Sequence, residues 1–181
     1  MSRRRVAIGV TGGVAAYKTA MLASRLAQAD VEVATVLTSA ATHFIGAATF
    51  AALTGNPPAT DAFDPRYPLG AHIEIAKSAE LLCIAPASAD FMAKTAHGIA
   101  DDLLSTIYLA FTGPVLMAPA MNREMWAKPA VQRNVRQLVE DGVEMIGPDS
   151  GWLSCRDQGA GRMSEPEEIL AAIQTRLATL T

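Results

Sequence analysis

The octapeptide GGVAAYKT, Gly12 to Thr19, follows the apolar run VAIGV, Val6 to Val10. Its spacing nearly matches the triphosphate loop G-x-x-x-x-G-K-[ST], with Gly12, Lys18 and Thr19 in place and Tyr17 where the last glycine belongs. A ring at that position crowds the backbone turn that wraps phosphates. A triphosphate site also needs an acid on a later strand to help hold Mg²⁺, and LLCIAP, Leu81 to Pro86, carries none. The triphosphate reading is therefore set aside. Strand, glycine pair and helix still place free N–H groups at one point, which suits a single phosphate as well as it suits an ordinary tight turn. Of the three histidines, His43 and His97 fall in helical patterns. His72 begins a helix in GAHIEIAK, after a flexible loop, and reads as a general base or as a polar helix start. Asn122, in APAMNREMW, reads as a helix cap or as an amide that holds a carboxylate. Cys155 lies beside Arg156 in GWLSCRDQGAGRM, and a thiol next to a cation can donate a proton or attack a carbon. These residues provide no metal site of familiar spacing and no nucleophile elbow.

The elements that must position these groups alternate strand and helix. Val6–Val10, Val31–Thr38, Leu81–Ala85, Pro114–Ala118 and Val143–Ile146 read as strands. Helices are expected over 15–29, with Met21, Leu22 and Leu26 on its apolar stripe, and over 40–54, 72–79, 89–111 (broken near Gly98), 122–141 (restarted at Pro129) and 166–180. Ser164 with Glu167 predicts a capping box for the last helix, and Gly147–Met163, with four glycines, reads as a long loop or flap. Repeated units of this kind imply an α/β three-layer sandwich with a mainly parallel sheet, Rossmann- or flavodoxin-like, over a single domain, 1–181. Ligands bind beyond the carboxyl ends of such strands. The groups there are small or hydroxylic: Thr11–Val14, Thr38–Ala40, Pro86–Asp90 and Pro119–Asn122.

Half of the 181 residues are hydrophobic, 18% are charged and the net charge is −3, so global disorder is excluded and nucleic acid is a poor main partner. Apolar runs are too short and interrupted for a membrane span, and MSRRRVAIGVTGG is too glycine-broken for a signal peptide. Two cysteines in unlike contexts indicate no disulfide framework and a cytoplasmic setting.

In order and spacing, GGVAAYK, TSAATHF, GAHIEIAK, PASAD, AKTAHGIADDLLS, PAMNREMW and SCRDQGAGRM resemble the flavin-containing cysteine decarboxylases, most closely the phosphopantothenoylcysteine (PPC) decarboxylase branch of coenzyme A synthesis. The resemblance covers almost the whole chain. It implies a sandwich that binds FMN, assembled as homotrimers or dodecamers of trimers with active sites between subunits. The implied FMN contacts are Gly12, Gly13, Val14, Ser39, Thr42, Phe44, Pro86, Ala87, Ser88, Asp90, Ala120 and Met121. Asn122 and Met125 would hold substrate, with the Asn122 amide on its carboxylate. His72 would be the base, serving a neighbour's flavin, and Cys155 the proton donor.

The implied chemistry converts the small molecule 4′-phosphopantothenoylcysteine to 4′-phosphopantetheine. Flavin accepts hydride from the carbon bearing the thiol, the resulting thioaldehyde lets CO₂ depart, and hydride then returns to the ene-thiol while Cys155 gives a proton. Peptidyl-cysteine decarboxylases, which stop at the ene-thiol, and flavin prenyltransferases are the rival readings; the Cys155 flap argues against the first and the pairing of PAMN with Cys155 against the second. A phosphatase-binding regulator would carry an acidic tail, and an electron carrier would not need His72, Asn122 and Cys155. Two departures stand out: Asp90 where some relatives have Asn, and Arg156 where a small residue often follows the cysteine. A chain ending at Thr181 is expected to be either a stand-alone enzyme or a domain cut from a bifunctional protein.

Overall fold

The apolar runs become a five-stranded parallel sheet in the computed structural model, which describes residues 3–180. Residues 1, 2 and 181 lie outside them, and with them the outermost positions of the expected domain and the start of MSRRR. In chain order the elements are β1 (Arg5–Val10), α1 (Ala16–Gln28), β2 (Glu32–Leu37), α2 (Ala47–Thr54), α3 (Ala71–Ser78) and β3 (Leu81–Ala87). There follow α4 (Ala89–Ala96), α5 (Leu103–Ala110), β4 (Val115–Pro119), α6 (Arg123–Trp126), α7 (Pro129–Glu140), β5 (Glu144–Met145), β6 (Asp149–Trp152), β7 (Gln158–Arg162) and α8 (Pro166–Ala178).

The sheet order is β2-β1-β3-β4-β5, so the chain reverses its winding direction between β1 and β3. That is the flavodoxin-like order, in which the ligand crevice opens at this switch point. Alternation along each strand divides the interior into two cores. Val6, Ile8, Val10, Leu81 and Cys83 pack with Leu22, Leu26, Phe50, Ile169 and Ile173 on one face. Ala7, Leu82, Ile84 and Met117 pack with Ile75, Phe91, Met92, Leu104, Ile107 and Leu138 on the other. Each fully buried large side chain contributes about 1.5–3 kcal/mol, and both faces of the sheet are covered, which completes the three layers.

Several expected boundaries move. The helix expected over 40–54 is a short 3₁₀ turn, Ala41–His43, followed by α2, because Gly46 takes extended backbone between them. Pro86 does not end β3, which runs on to Ala87. Met21 is 44% exposed, whereas Leu22 and Leu26 are buried, so the stripe of α1 excludes it. The cap of α8 is Glu165 paired with Glu168 in a capping box. Ser164 is buried instead and donates its hydroxyl to Asp149 Oδ1 at 3.1 Å.

The largest correction concerns Gly147–Met163. It is no irregular loop: β6 and β7 pair antiparallel as a separate hairpin, Asp149 to Arg162 and Trp152 to Gln158. At the amino-terminal ends of β1 and β3, Arg4 pairs with Glu80 and donates Nη2 to the carbonyl of Leu180 at 2.8 Å. Among the described residues no helix is long and apolar enough to cross a membrane.

Candidate active site

Beyond β1, Thr11 ties two strand ends together. Its buried hydroxyl donates to the Pro86 carbonyl at 2.6 Å and accepts from the Ser88 N–H at 2.9 Å. Gly12 then passes so close to the second strand's exit that a Cβ would stand 2.6 Å from Ala40 Cβ. Among the described residues no acceptor takes the N–H groups of Gly12, Gly13, Val14 or Ala15. They gather at the start of α1, whose first turn holds no acid, so donors and helix dipole both favour an anion there. Lys18 does not face that point. It is buried, and its Nζ donates to the Met163 carbonyl at 2.9 Å and to Glu165 Oε1 at 3.0 Å. Thr19 is buried too, donating to the Ala85 carbonyl at 2.7 Å. The two residues that mimic a triphosphate loop are thus spent on bracing α1.

These donors open into a cavity of about 730 Å³, within the range of small-molecule and cofactor sites. It gathers Gly12, Gly13, Val14, Ser39, Ser88, Asp90, Ala120, Met121, Asn122, Met125 and Cys155. Five other predicted residues are not part of its lining. Pro86 and Ala87 are buried beneath it, Thr42 and Phe44 are exposed beyond Ala41, and His72 is half-buried on α3. The linker before α3 is braced by Arg66, whose Nη1 and Nη2 donate to the carbonyls of Pro57 and Pro58 at 2.9 and 3.0 Å. Hydrogen bonds from Arg66 hold the Asp64 carboxyl below the usual carboxylate range.

The lining also includes residues not singled out from the sequence: Lys94, Asp102, Trp152, Leu153 and Arg162. Lys94 Nζ pairs with Asp101 at 3.0 Å and Asp90 at 3.5 Å, and the Asp101 bond raises its pKa. The i,i+4 spacing of Asp90 and Lys94 was the available signal. Asp102 caps α5, accepting from Ser105 N–H at 2.8 Å. Ser88 caps α4, accepting from Phe91 N–H at 3.2 Å.

The hairpin covers the far side. Leu153 N–H donates to the Asp157 carbonyl at 2.8 Å and Arg156 N–H to the Leu153 carbonyl at 2.9 Å, which leaves a three-residue turn with exposed Cys155 at its centre. Its base is fixed by Met121 N–H donating to the Gly161 carbonyl at 2.9 Å, and its turn end by Arg123 pairing with Asp157 at 2.9 Å. Gly161 has φ +124, and a Cβ there would overlap the Met121 carbonyl oxygen, so only glycine fits. Asn122 caps α6 with its Oδ1, which accepts from Met125 N–H at 2.8 Å. Its amide Nδ2 remains available to the cavity. The other thiol, Cys83, is fully buried, and burial pushes its pKa up to about 12.

The sequence profile of the Flavoprotein family matches residues 1–178. The chain belongs to the flavoprotein family. It is 47% identical over 174 residues to the coenzyme A biosynthesis bifunctional protein CoaBC of Haemophilus influenzae, covering 96% of this chain and 44% of that protein. The chain therefore spans less than half the length of this curated relative. The fold is similar to the FMN-dependent cysteine decarboxylase SpaF, with 38% identity, a TM-score of 0.84 and coverage of 97% of this chain and 95% of that one. It is also similar to a cysteine-to-serine variant of PPC decarboxylase complexed with pantothenoylaminoethenethiol, with 31% identity, a TM-score of 0.87 and coverage of 98% and 100%. The cavity fits a flavoprotein's needs. Unpaired N–H groups would suit one phosphate, and Ala89 and Ala120 place small side chains in the wall where a flat ring could approach backbone.

Proposed function

We propose that this flavoprotein binds FMN and decarboxylates 4′-phosphopantothenoylcysteine to 4′-phosphopantetheine and CO₂. One observation carries the reading: the monophosphate cradle, the free amide of Asn122 and the thiol of Cys155 line a single cavity. FMN, when bound, supplies a reversible acceptor for the hydride on the carbon that bears the substrate thiol. The N–H groups of Gly12 to Ala15, with the hydroxyl of Ser39, would hold its phosphate. Ser88, Asp90, Ala120 and Met121 would border the ring.

The protein's own part is to orient the substrate and to move protons. Asn122 Nδ2 donates to the substrate carboxylate while Oδ1 keeps its cap, so the amide stays aimed without a rotamer change. Met125, on the same turn of α6, borders the substrate's apolar portion. Cys155 gives its proton to the product carbon from the hairpin turn that lines the cavity. His72 receives the thiol proton in a neighbouring subunit's site. Val14 before α1 and Tyr17 and Met21 on it are exposed apolar residues at 52%, 56% and 44% that run outward from the cavity lining, with Phe44 exposed after the second strand. Exposed apolar surface of this kind favours association, in keeping with a homotrimer or a dodecamer of trimers. Both cysteines are free, which agrees with a cytoplasmic setting.

The test is mass spectrometry of 4′-phosphopantothenoylcysteine incubated with the FMN-loaded protein. Loss of CO₂ to the saturated thiol supports the full reading. An ene-thiol product would remove the role given to Cys155, and no product despite bound FMN would refute the substrate.

A further inference from the structure

Five cationic side chains line the cavity or adjoin its lining, and four are already engaged. Lys18 and Arg162 both pair with Glu165, Lys94 with Asp101, and Arg123 with Asp157. Only Arg156 has no carboxylate partner among the described residues, and it is exposed and directly follows Cys155, which lines the cavity. Its backbone is equally unusual. Arg156 sits at φ +64, the left-handed position that closes a three-residue hairpin turn and that glycine fills at no steric cost. The other non-glycine residue with positive φ is Asp30, a type that tolerates this region through its short polar side chain. Arginine has no such compensation. Residues held in such strained conformations cluster at active sites and ligand clamps.

We propose that Arg156 is a specificity-determining residue that binds the phosphate at the distal end of the substrate. The inference rests on the reading above. There the reacting cysteinyl end sits between Asn122 and Cys155, so the opposite end must lead toward the mouth. An unpaired guanidinium is the group that recognises a phosphate bidentately.

The test compares Kd by calorimetry on the FMN-loaded protein for 4′-phosphopantothenoylcysteine and for pantothenoylcysteine, alongside turnover of each. The native protein should bind the phosphorylated compound about tenfold or more tightly. Arg156→Gly should bring that ratio close to one and leave the melting temperature equal or higher, because glycine relieves the turn. Arg156→Lys should keep part of the preference. A preference that survives in Arg156→Gly, or is missing from the native protein, overturns the assignment. If the binding preference follows Arg156 but neither compound loses CO₂, the phosphate assignment stands and the decarboxylase reading fails.

Discussion

The phosphate loop and the β6–β7 hairpin face each other across one cavity but are secured in different ways. The loop is an extension of the parallel sheet. Thr11, Lys18 and Thr19 are all buried and each bonds a main-chain carbonyl from another element. The hairpin lies outside the main sheet and is attached by a few bonds, at its base through Gly161 and Asp149 and near its turn through the exposed Arg123–Asp157 pair. The lesson is a division of labour: a fixed side for a resident cofactor, and a lightly attached side for a substrate that must enter and leave.

The largest effect is expected between the two. Asn122→Asp keeps the α6 cap, since aspartate caps as well as asparagine, but replaces the amide donor with a carboxylate facing a carboxylate. Decarboxylation should fall by roughly 100-fold or more with FMN retained, as should that of His72→Asn, both read by single-turnover kinetics and flavin absorbance. Full activity in both would dissolve the site assignment.

The hairpin side is broken most directly by Gly161→Ala. A Cβ would collide with the Met121 carbonyl in a backbone conformation suited to glycine, so urea unfolding should show a loss of about 3 kcal/mol. Gly12→Ala is the matching change on the loop side. Its Cβ would press on Ala40, and FMN binding measured by fluorescence should weaken by about tenfold, more than stability suffers.

Lys18→Met sharpens the contrast. It removes a buried ammonium whose partner Glu165 is 42% exposed, so stability should drop by about 2 kcal/mol or less. FMN affinity should stay within about threefold, because the ammonium is spent on Met163 and Glu165 rather than on the phosphate point. A collapse of FMN affinity would restore Lys18 as a phosphate ligand.

At neutral pH the smallest effect separates the two thiols. Iodoacetamide at pH 8 should label exposed Cys155 and leave buried Cys83 untouched until unfolding. Because the folded Cys83 pKa is raised to about 12 from an ordinary 9.0, the unfolded chain loses that proton first. The native advantage is whole below pH 9 and declines as pH rises through the window from 9.0 to about 12, by about 1.4 kcal/mol per unit. Replacing Cys83 with Ala should flatten that slope in thermal unfolding above pH 9.

The same contrast explains what the sequence made legible. Strands such as LLCIAPA are buried on both faces, so their apolar runs announced a parallel sheet, and the four strand exits located most of the cavity. Strands DSGW and QGAGR have no alternating apolar face, and their pairing depends on Met121 and Arg123, more than twenty residues away, so they looked like loop. The role of Lys18 was hidden for a similar reason: it is set by Glu165 and Met163, far along the chain. Trp152 and Arg162 entered the lining only because the hairpin folded over it.

Arg4 and Leu180 are hydrogen-bonded to each other at the amino-terminal edge of the sheet, behind the cavity. A tether fixed at either end therefore leads away from the mouth, and cargo held there leaves substrate diffusion unobstructed. The same adjacency bears on circular permutation of this domain: a short linker can join Leu180 to Arg4, and a new opening at the exposed Gly142 turn falls between the cavity residues of α6 and those of the hairpin.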